Sequence, residues 1–203
     1  MNIAIIGTGN VGGALATNWA SKGHHIHLGV NNIEQFKGIE LLKNKNTSVS
    51  SIAEAVAKSD VVLIATPPTA IFDIVAKLGQ VTGKTIIDAT NSVRQAPDPY
   101  KTVYHCLADR TDAEVVKCFN TTGFENMLNP NYNGVAIDMF MAGDSEKAKI
   151  VATQLALAAG FGSCIDFGKS DKVELLEKFA LSWINLVIMQ GHGRTMAFKV
   201  LKR

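Results

Sequence analysis

Apolar residues in this chain gather in short runs rich in Ile and Val, separated by longer stretches of helix formers. A run of four to six apolar residues bounded by turn residues reads as a strand covered on both faces, the situation of a parallel sheet flanked by helices. This pattern predicts strands at residues 3–6, 26–29, 48–50, 60–65, 85–89, 114–119, 135–143 and 163–167, the one at 48–50 being weak. Between them it predicts helices over 14–20, 51–58, 70–78 and 145–160, and a short helix within 33–51. Ser51 and Glu54 stand at capping-box spacing, and Ser145 is placed to cap the helix that follows it. The stretch 173–190 is apolar nearly all round, so it must be buried in a core or against another subunit. In a chain of this size the second option predicts a homodimer with that helix at its interface. Residues 195–203 read as a short basic amphipathic helix.

The first strand runs directly into Gly7-Thr8-Gly9-Asn10-Val11-Gly12. Gly7 permits the tight turn, Gly9 lets the backbone approach a pyrophosphate, and Gly12 lets the next helix pack on the strand. The first amide N–H groups of that helix then face an anion, so a dinucleotide is the expected ligand. The predicted fold is α/β, a doubly wound, Rossmann-like, mostly parallel sheet with C-terminal helices. One NAD(P)-binding domain is expected over 1–203, with an α/β core at 1–167 and a helical extension at 168–203.

In open sheets of this kind ligands bind at the carboxyl ends of the strands. After the second strand stands Val30-Asn31-Asn32, and the first carboxylate is Glu34. No acid is placed to repel a 2′-phosphate, which favours NADP over NAD, although no arginine is there to grip one. Asn31 and Asn32 are candidate ligands or an ordinary polar turn. Thr66-Pro67-Pro68, Thr90-Asn91-Ser92 and Asn120-Thr121-Thr122 close three further strands with prolines or small polar residues, a candidate wall of the site.

Composition narrows the class. The 203 residues carry a net charge of +2 with no concentrated basic field, so a nucleic-acid partner is not expected. Cys106, Cys118 and Cys164 lack metal-ligand or disulfide-framework spacing and read as reduced thiols, which points to the cytoplasm. The longest apolar stretch, residues 179–189, is shorter than the roughly 20 residues a membrane span requires. No metal site is expected, and no serine stands in a nucleophile-elbow context.

Several segments together resemble the coenzyme factor-420 (8-hydroxy-5-deazaflavin) dependent NADP reductases. They are the opening glycine turn, Thr66-Pro67-Pro68, Asp88-Ala89-Thr90-Asn91, Lys117-Cys118-Phe119-Asn120-Thr121, Ala142-Gly143-Asp144, Gly191-His192-Gly193-Arg194 and Ala197-Phe198-Lys199. The resemblance implies hydride exchange between NADP and a flavin-like acceptor, in a dimer whose C-terminal helices shape the cleft. The chain departs from it at Val30-Asn31-Asn32, where members gripping the 2′-phosphate show Ser-Arg-Arg, and at Asn120-Thr121-Thr122-Gly123, where a His-Thr-Ile-Pro-like turn is usual.

Hydride transfer asks mainly for two stacked rings in a closed site, with no obligatory general acid. The nicotinamide is expected against Asn91 and Asn120-Thr121, with Phe124 and the His105 region walling the small-molecule acceptor. Two alternatives stand beside this reading. A carbonyl or imine reductase would need a proton donor, for which Tyr104, His105, Lys117 and His192 are candidates. A non-catalytic NAD(P)-sensing module would bind the nucleotide without turnover. Arg194, Lys199, Lys202 and Arg203 are either a hold for an anionic acceptor tail or a solvated face.

Overall fold

The computed structural model describes residues 1–203. In chain order the elements are Asn2–Ile6 (β1), Asn10–Ser21 (α1), His25–Val30 (β2), Thr47–Ser51 (β3), Ile52–Ala57 (α2), Val61–Ile64 (β4), Ile71–Val75 (α3), Thr85–Asp88 (β5), Val103–Arg110 (α4), Glu114–Cys118 (β6), Phe124–Leu128 (α5), Asn131–Tyr132 (β7), Val135–Ala136 (β8), Asp138–Ala142 (β9), Glu146–Ala159 (α6), Ser163–Asp166 (β10) and Val173–Ile184 (α7). Eight strands form one sheet in the order β3-β2-β1-β4-β5-β6-β9-β10, with β7 and β8 a separate hairpin. β1 to β6 are parallel, β9 runs antiparallel to β6, and β10 is parallel to β9. This is the doubly wound, Rossmann-like arrangement with its order reversing at β1, which pairs with both β2 and β4.

Helices cover both faces, so the strands need apolar residues on both sides. One core joins α1, α5 and α6 to the sheet through Leu15, Trp19, Phe119, Met127 and Leu155. The other joins α2, α3, α4 and α7 through Ile52, Ile71, Val103 and Leu176. Asn18 of α1 is buried for a definite purpose: its amide donates to Met127 O at 2.9 Å and Ala159 O at 3.0 Å, tying three helices together. Trp19 adds an indole bond to Leu155 O at 3.0 Å. The Ser51–Glu54 capping box forms, and Thr102 and Ser145 cap α4 and α6.

Four expectations change. The helix expected over 70–78 is a 3₁₀ turn at Pro68–Ala70 followed by the short α3, because the prolines start the segment and left-handed Gly79 ends it. The strand expected over 135–143 splits, since Asn133-Gly134 at positive φ folds β7 and β8 into a hairpin before β9 begins. The last helix stays α-helical only to Ile184, and Asn185–Met189 widens to a π turn that ends at left-handed Gly191. Residues 195–203 form no helix. That tail returns along β9: Asp138 N donates to Phe198 O, Val200 N donates to Asp138 Oδ2 at 2.8 Å, and Lys199 pairs with Asp138 Oδ1 at 2.7 Å. Phe198 stacks on Phe179 with centroids 4.5 Å apart. No helix is long and apolar enough to cross a membrane.

Candidate functional site

The glycine turn sits where the strand order reverses. Gly7 has φ +100, and a Cβ there would lie 2.6 Å from the Ala65 carbonyl carbon, so β1 and β4 approach as closely as backbone allows. A Cβ on Gly12 would overlap the Gly7 carbonyl oxygen, whereas one on Gly9 would meet nothing within 4 Å. Gly7 and Gly12 are therefore demanded by packing. Gly9 is not, and its missing side chain leaves open space above the first turn of α1. That turn has no side-chain cap and no acidic residue, so its amide donors are left for an anion.

Two clefts meet the turn. The first, about 320 Å³, is lined by Gly7, Thr8, Gly29, Asn31, Thr66, Pro67 and Asp73 among others. The second, about 330 Å³, is lined by Thr8, Gly9, Asn10, Leu41 and Phe124 among others. Val11 packs against the core beside them, and Pro68 opens the 3₁₀ turn that carries the first cleft's rim. Asn91 and Asn120 face each other across the ends of β5 and β6: Asn91 Nδ2 donates to Asn120 O at 3.0 Å, and Asn120 Nδ2 donates to Asn91 Oδ1 at 3.1 Å. Preceding Asn120, Phe119 holds a left-handed φ of 61° while buried against Trp19 and Phe161, a conformation that costs about 1–3 kcal/mol. Asn120 Oδ1 and Thr66 Oγ1 are buried without a hydrogen-bond partner. Orphaned polar atoms of this kind are what a nucleotide's amide and hydroxyl groups would satisfy. With the open Gly9 and the uncapped helix, the residues present fit a dinucleotide.

Other expected site residues lie elsewhere. Thr121 is buried and its hydroxyl points to Met139 Sδ at 3.8 Å, away from Asn91. Asn32 Oδ1 accepts from Glu34 N at 2.9 Å, which makes it a turn residue. His105 bonds Thr102 Oγ1 at 2.8 Å in the first turn of α4 and lines neither cleft at the glycine turn. Of the basic tail, Arg194 pairs with Glu125 and lies over the Phe124 and Trp183 rings, 5.4 and 5.8 Å from their centroids, so it is an internal clamp. Burial opposes the Glu125 charge, but Arg194 outweighs it and holds that carboxyl below its ordinary range. Lys199 is spent on Asp138.

Two arrangements escape a reading of the sequence. Lys117 is fully buried and donates to Asp88 Oδ2 at 2.9 Å, Thr90 O at 2.6 Å and Glu177 Oε1 at 2.6 Å. Glu177 Oε2 in turn accepts from Ser92 N at 2.7 Å, so α7 holds the Thr90-Asn91-Ser92 loop by its backbone. Burial pushes the Glu177 carboxyl above its usual range, against the opposing pull of Lys117. A buried charge near the carboxyl end of each of two strands was the available signal, for Asp88 and Lys117 are register partners. The second is Lys77, whose Nζ donates to Asn31 Oδ1 at 2.9 Å from 46 residues away.

Strand order and the glycine turn at the order reversal define an α/β protein of Rossmann type. Residues 2–92 match the family described as NADP oxidoreductase, coenzyme F420-dependent. The whole fold is similar to a candidate F420-dependent NADP reductase from Arthrobacter sp. FB24, with 22% identity, full coverage of both chains and a TM-score of 0.87. A hypothetical protein from Sinorhizobium meliloti is similar at 22% identity and TM-score 0.72, over 100% of this chain and 96% of its own. A reductive aminase from Aspergillus terreus, in complex with NADPH and ethyl-5-oxohexanoate, is similar at 20% identity and TM-score 0.71, over 94% of this chain and 63% of its own.

Proposed function

We propose that this chain is an NADP-dependent oxidoreductase that exchanges a hydride between NADP(H) and a flavin- or deazaflavin-like acceptor. The observation that carries this reading is the glycine turn at the order reversal, where packing demands Gly7 and Gly12 but leaves Gly9 open over an uncapped helix. Gly7, Thr8, Gly9, Asn10, Val11 and Gly12 hold the pyrophosphate; Asn31, Thr66 and Pro67 border the adenosine side; and Asn91 with Asn120 receives the nicotinamide amide. The bound cofactor supplies or accepts the hydride at its nicotinamide ring. Phe124, stiffened by Arg194 above it, walls the far side of the turn and offers a flat face to a flavin-like ring. The matched family and the fold of the Arthrobacter protein support the acceptor class.

The imine-reductase reading draws support from the Aspergillus fold, whose chain this one spans only to 63%. It needs a proton donor beside the glycine turn, and none of Tyr104, His105, Lys117 and His192 lines the two clefts there. Lys117 is saturated by three acceptors, Tyr104 is buried with its hydroxyl oxygen accepting from Asp144 N at 3.2 Å, and burial raises that phenol above its usual range. We also infer a homodimer through α7 and its π extension, where Leu175, Leu181, Ile188 and Met189 leave an apolar face exposed. The three free cysteines support a cytoplasmic setting.

Titration calorimetry with NADPH and NADH, followed by NADPH oxidation against free flavins, a deazaflavin and ferric chelates, tests the assignment. Binding with turnover of a flavin-class acceptor is expected. Absence of heat with either nucleotide refutes it, and tight binding without oxidation of any acceptor moves the chain to the sensor class.

A further inference from the structure

We propose that Lys77 is the cation that selects the 2′-phosphate of NADP(H) in this chain. The proposal rests on the cofactor reading above and names the residue that sets its specificity. The segment following β2, where such a cation is sought in sequence, has only Val30-Asn31-Asn32, and its nearest lysine is Lys37. The structure supplies the charge from the other side of the cleft, at the end of α3.

Three observations converge there. The cleft beneath the glycine turn is continued, across the shared residues Val30, Asn31 and Ile52, by a neighbouring cleft of about 340 Å³ lined by Ser51, Ala76, Lys77 and Gly79. Its position at the carboxyl end of β2 is where the adenosine ribose of a nucleotide on Gly7–Gly12 is directed. Lys77 Nζ reaches into the junction and rests 2.9 Å from Asn31 Oδ1. Finally, Lys77 makes no ion pair, so the ammonium is parked on a neutral amide oxygen, an acceptor that a phosphate dianion readily displaces. The stem is well anchored: Ile74 and Leu78 on either side are buried, Lys77 N donates to Ile74 O, and left-handed Gly79 ends the segment.

One carboxylate competes for the same region. Asp73 lines the first cleft, four residues before Lys77, and is placed to accept from unphosphorylated ribose hydroxyls. Glu54 lines neither cleft, and its carboxylate is engaged by Ser51 in the capping box. Lys77 and Asp73 thus predict opposite nucleotide preferences, and the charge that faces Asn31 decides for the phosphate.

The test is calorimetric, on the full chain, with four probes: NADPH, NADH, adenosine 2′,5′-bisphosphate and 5′-AMP. Wild type is expected to prefer the 2′-phosphorylated member of each pair. Lys77→Gln is expected to weaken that member by about 10- to 100-fold, leave the other within about twofold, and keep the wild-type melting temperature because the side chain is exposed. Lys77→Arg retains the preference, and raising the salt erodes it. Equal loss for both members in Lys77→Gln overturns the proposal, as does no change, or a wild type that prefers NADH and loses that preference in Asp73→Asn. If wild type binds neither NADPH nor NADH, the cofactor reading itself falls.

Discussion

Replacing Lys117 by Met removes the one cation from a pair of buried carboxylates. In wild type, Lys117 Nζ lies 2.9 Å from Asp88 and 2.6 Å from Glu177, with the Lys117 and Asp88 side chains fully buried and that of Glu177 5% exposed. Without it, Asp88 keeps only the Thr90 N–H and Glu177 only the Ser92 N–H, so two negative charges remain in the core with a single donor each. Breaking a buried pair from one side costs about 3–5 kcal/mol, and two orphaned acids put this variant at the upper end. That is a large part of the roughly 5–15 kcal/mol that holds a domain together. With a urea m-value of about 2–3 kcal/mol/M, the midpoint falls by about 2 M. Acid should narrow the gap. Glu177 is already raised by burial, and a carboxyl whose folded pKa exceeds its unfolded value of about 4.3 carries no penalty below that value and a growing one above it. Adding Glu177→Gln to Lys117→Met recovers part of the loss. Urea titrations at pH 5 and pH 8 read all of this, and a loss under about 1 kcal/mol at pH 8, or one that widens toward acid, refutes the reasoning.

Gly9→Ala should fold with an unchanged melting temperature, because its Cβ meets nothing within 4 Å, yet lose most of its affinity for pyridine nucleotides by calorimetry. Gly12→Ala, whose Cβ overlaps the Gly7 carbonyl, should destabilise the fold itself by circular dichroism melts. Asp138→Asn should free the tail, costing about 2 kcal/mol and speeding tryptic cleavage after Lys199. Burial opposes the Asp138 charge, but Lys199, Val200 N and Ser163 hold its carboxyl below the ordinary range. Its stabilisation is thus complete above the unfolded value of about 3.9 and is lost as pH falls through the lower folded value, which the same digestion checks in acid with pepsin. Ser51→Ala should cost about 1 kcal/mol through the capping box, read from thermal melts.

Much of the fold was legible because its causes are local. Ile3–Ile6 and Val61–Ile64 announce buried strands by composition alone, the Gly7–Gly12 spacing announces the turn, and Ser51 and Ser145 announce helix starts. Asn91 and Asn120 were legible as polar strand ends, though their mutual amide bonds were not. Thr121 misled for the same local reason: alternation along a strand end does not say which side chain the left-handed Phe119 turns inward.

The chain's own pattern therefore determined an α/β sheet opened by an anion-binding turn, since strand, turn and helix preferences act within a few residues. Only the folded molecule decided which distant charges meet. Lys77 reaches Asn31 across 46 positions, Lys117 reaches Glu177 across 60, and the tail returns to Asp138 across 61. Such pairs are fixed by strand order and helix packing, which no short window of sequence contains.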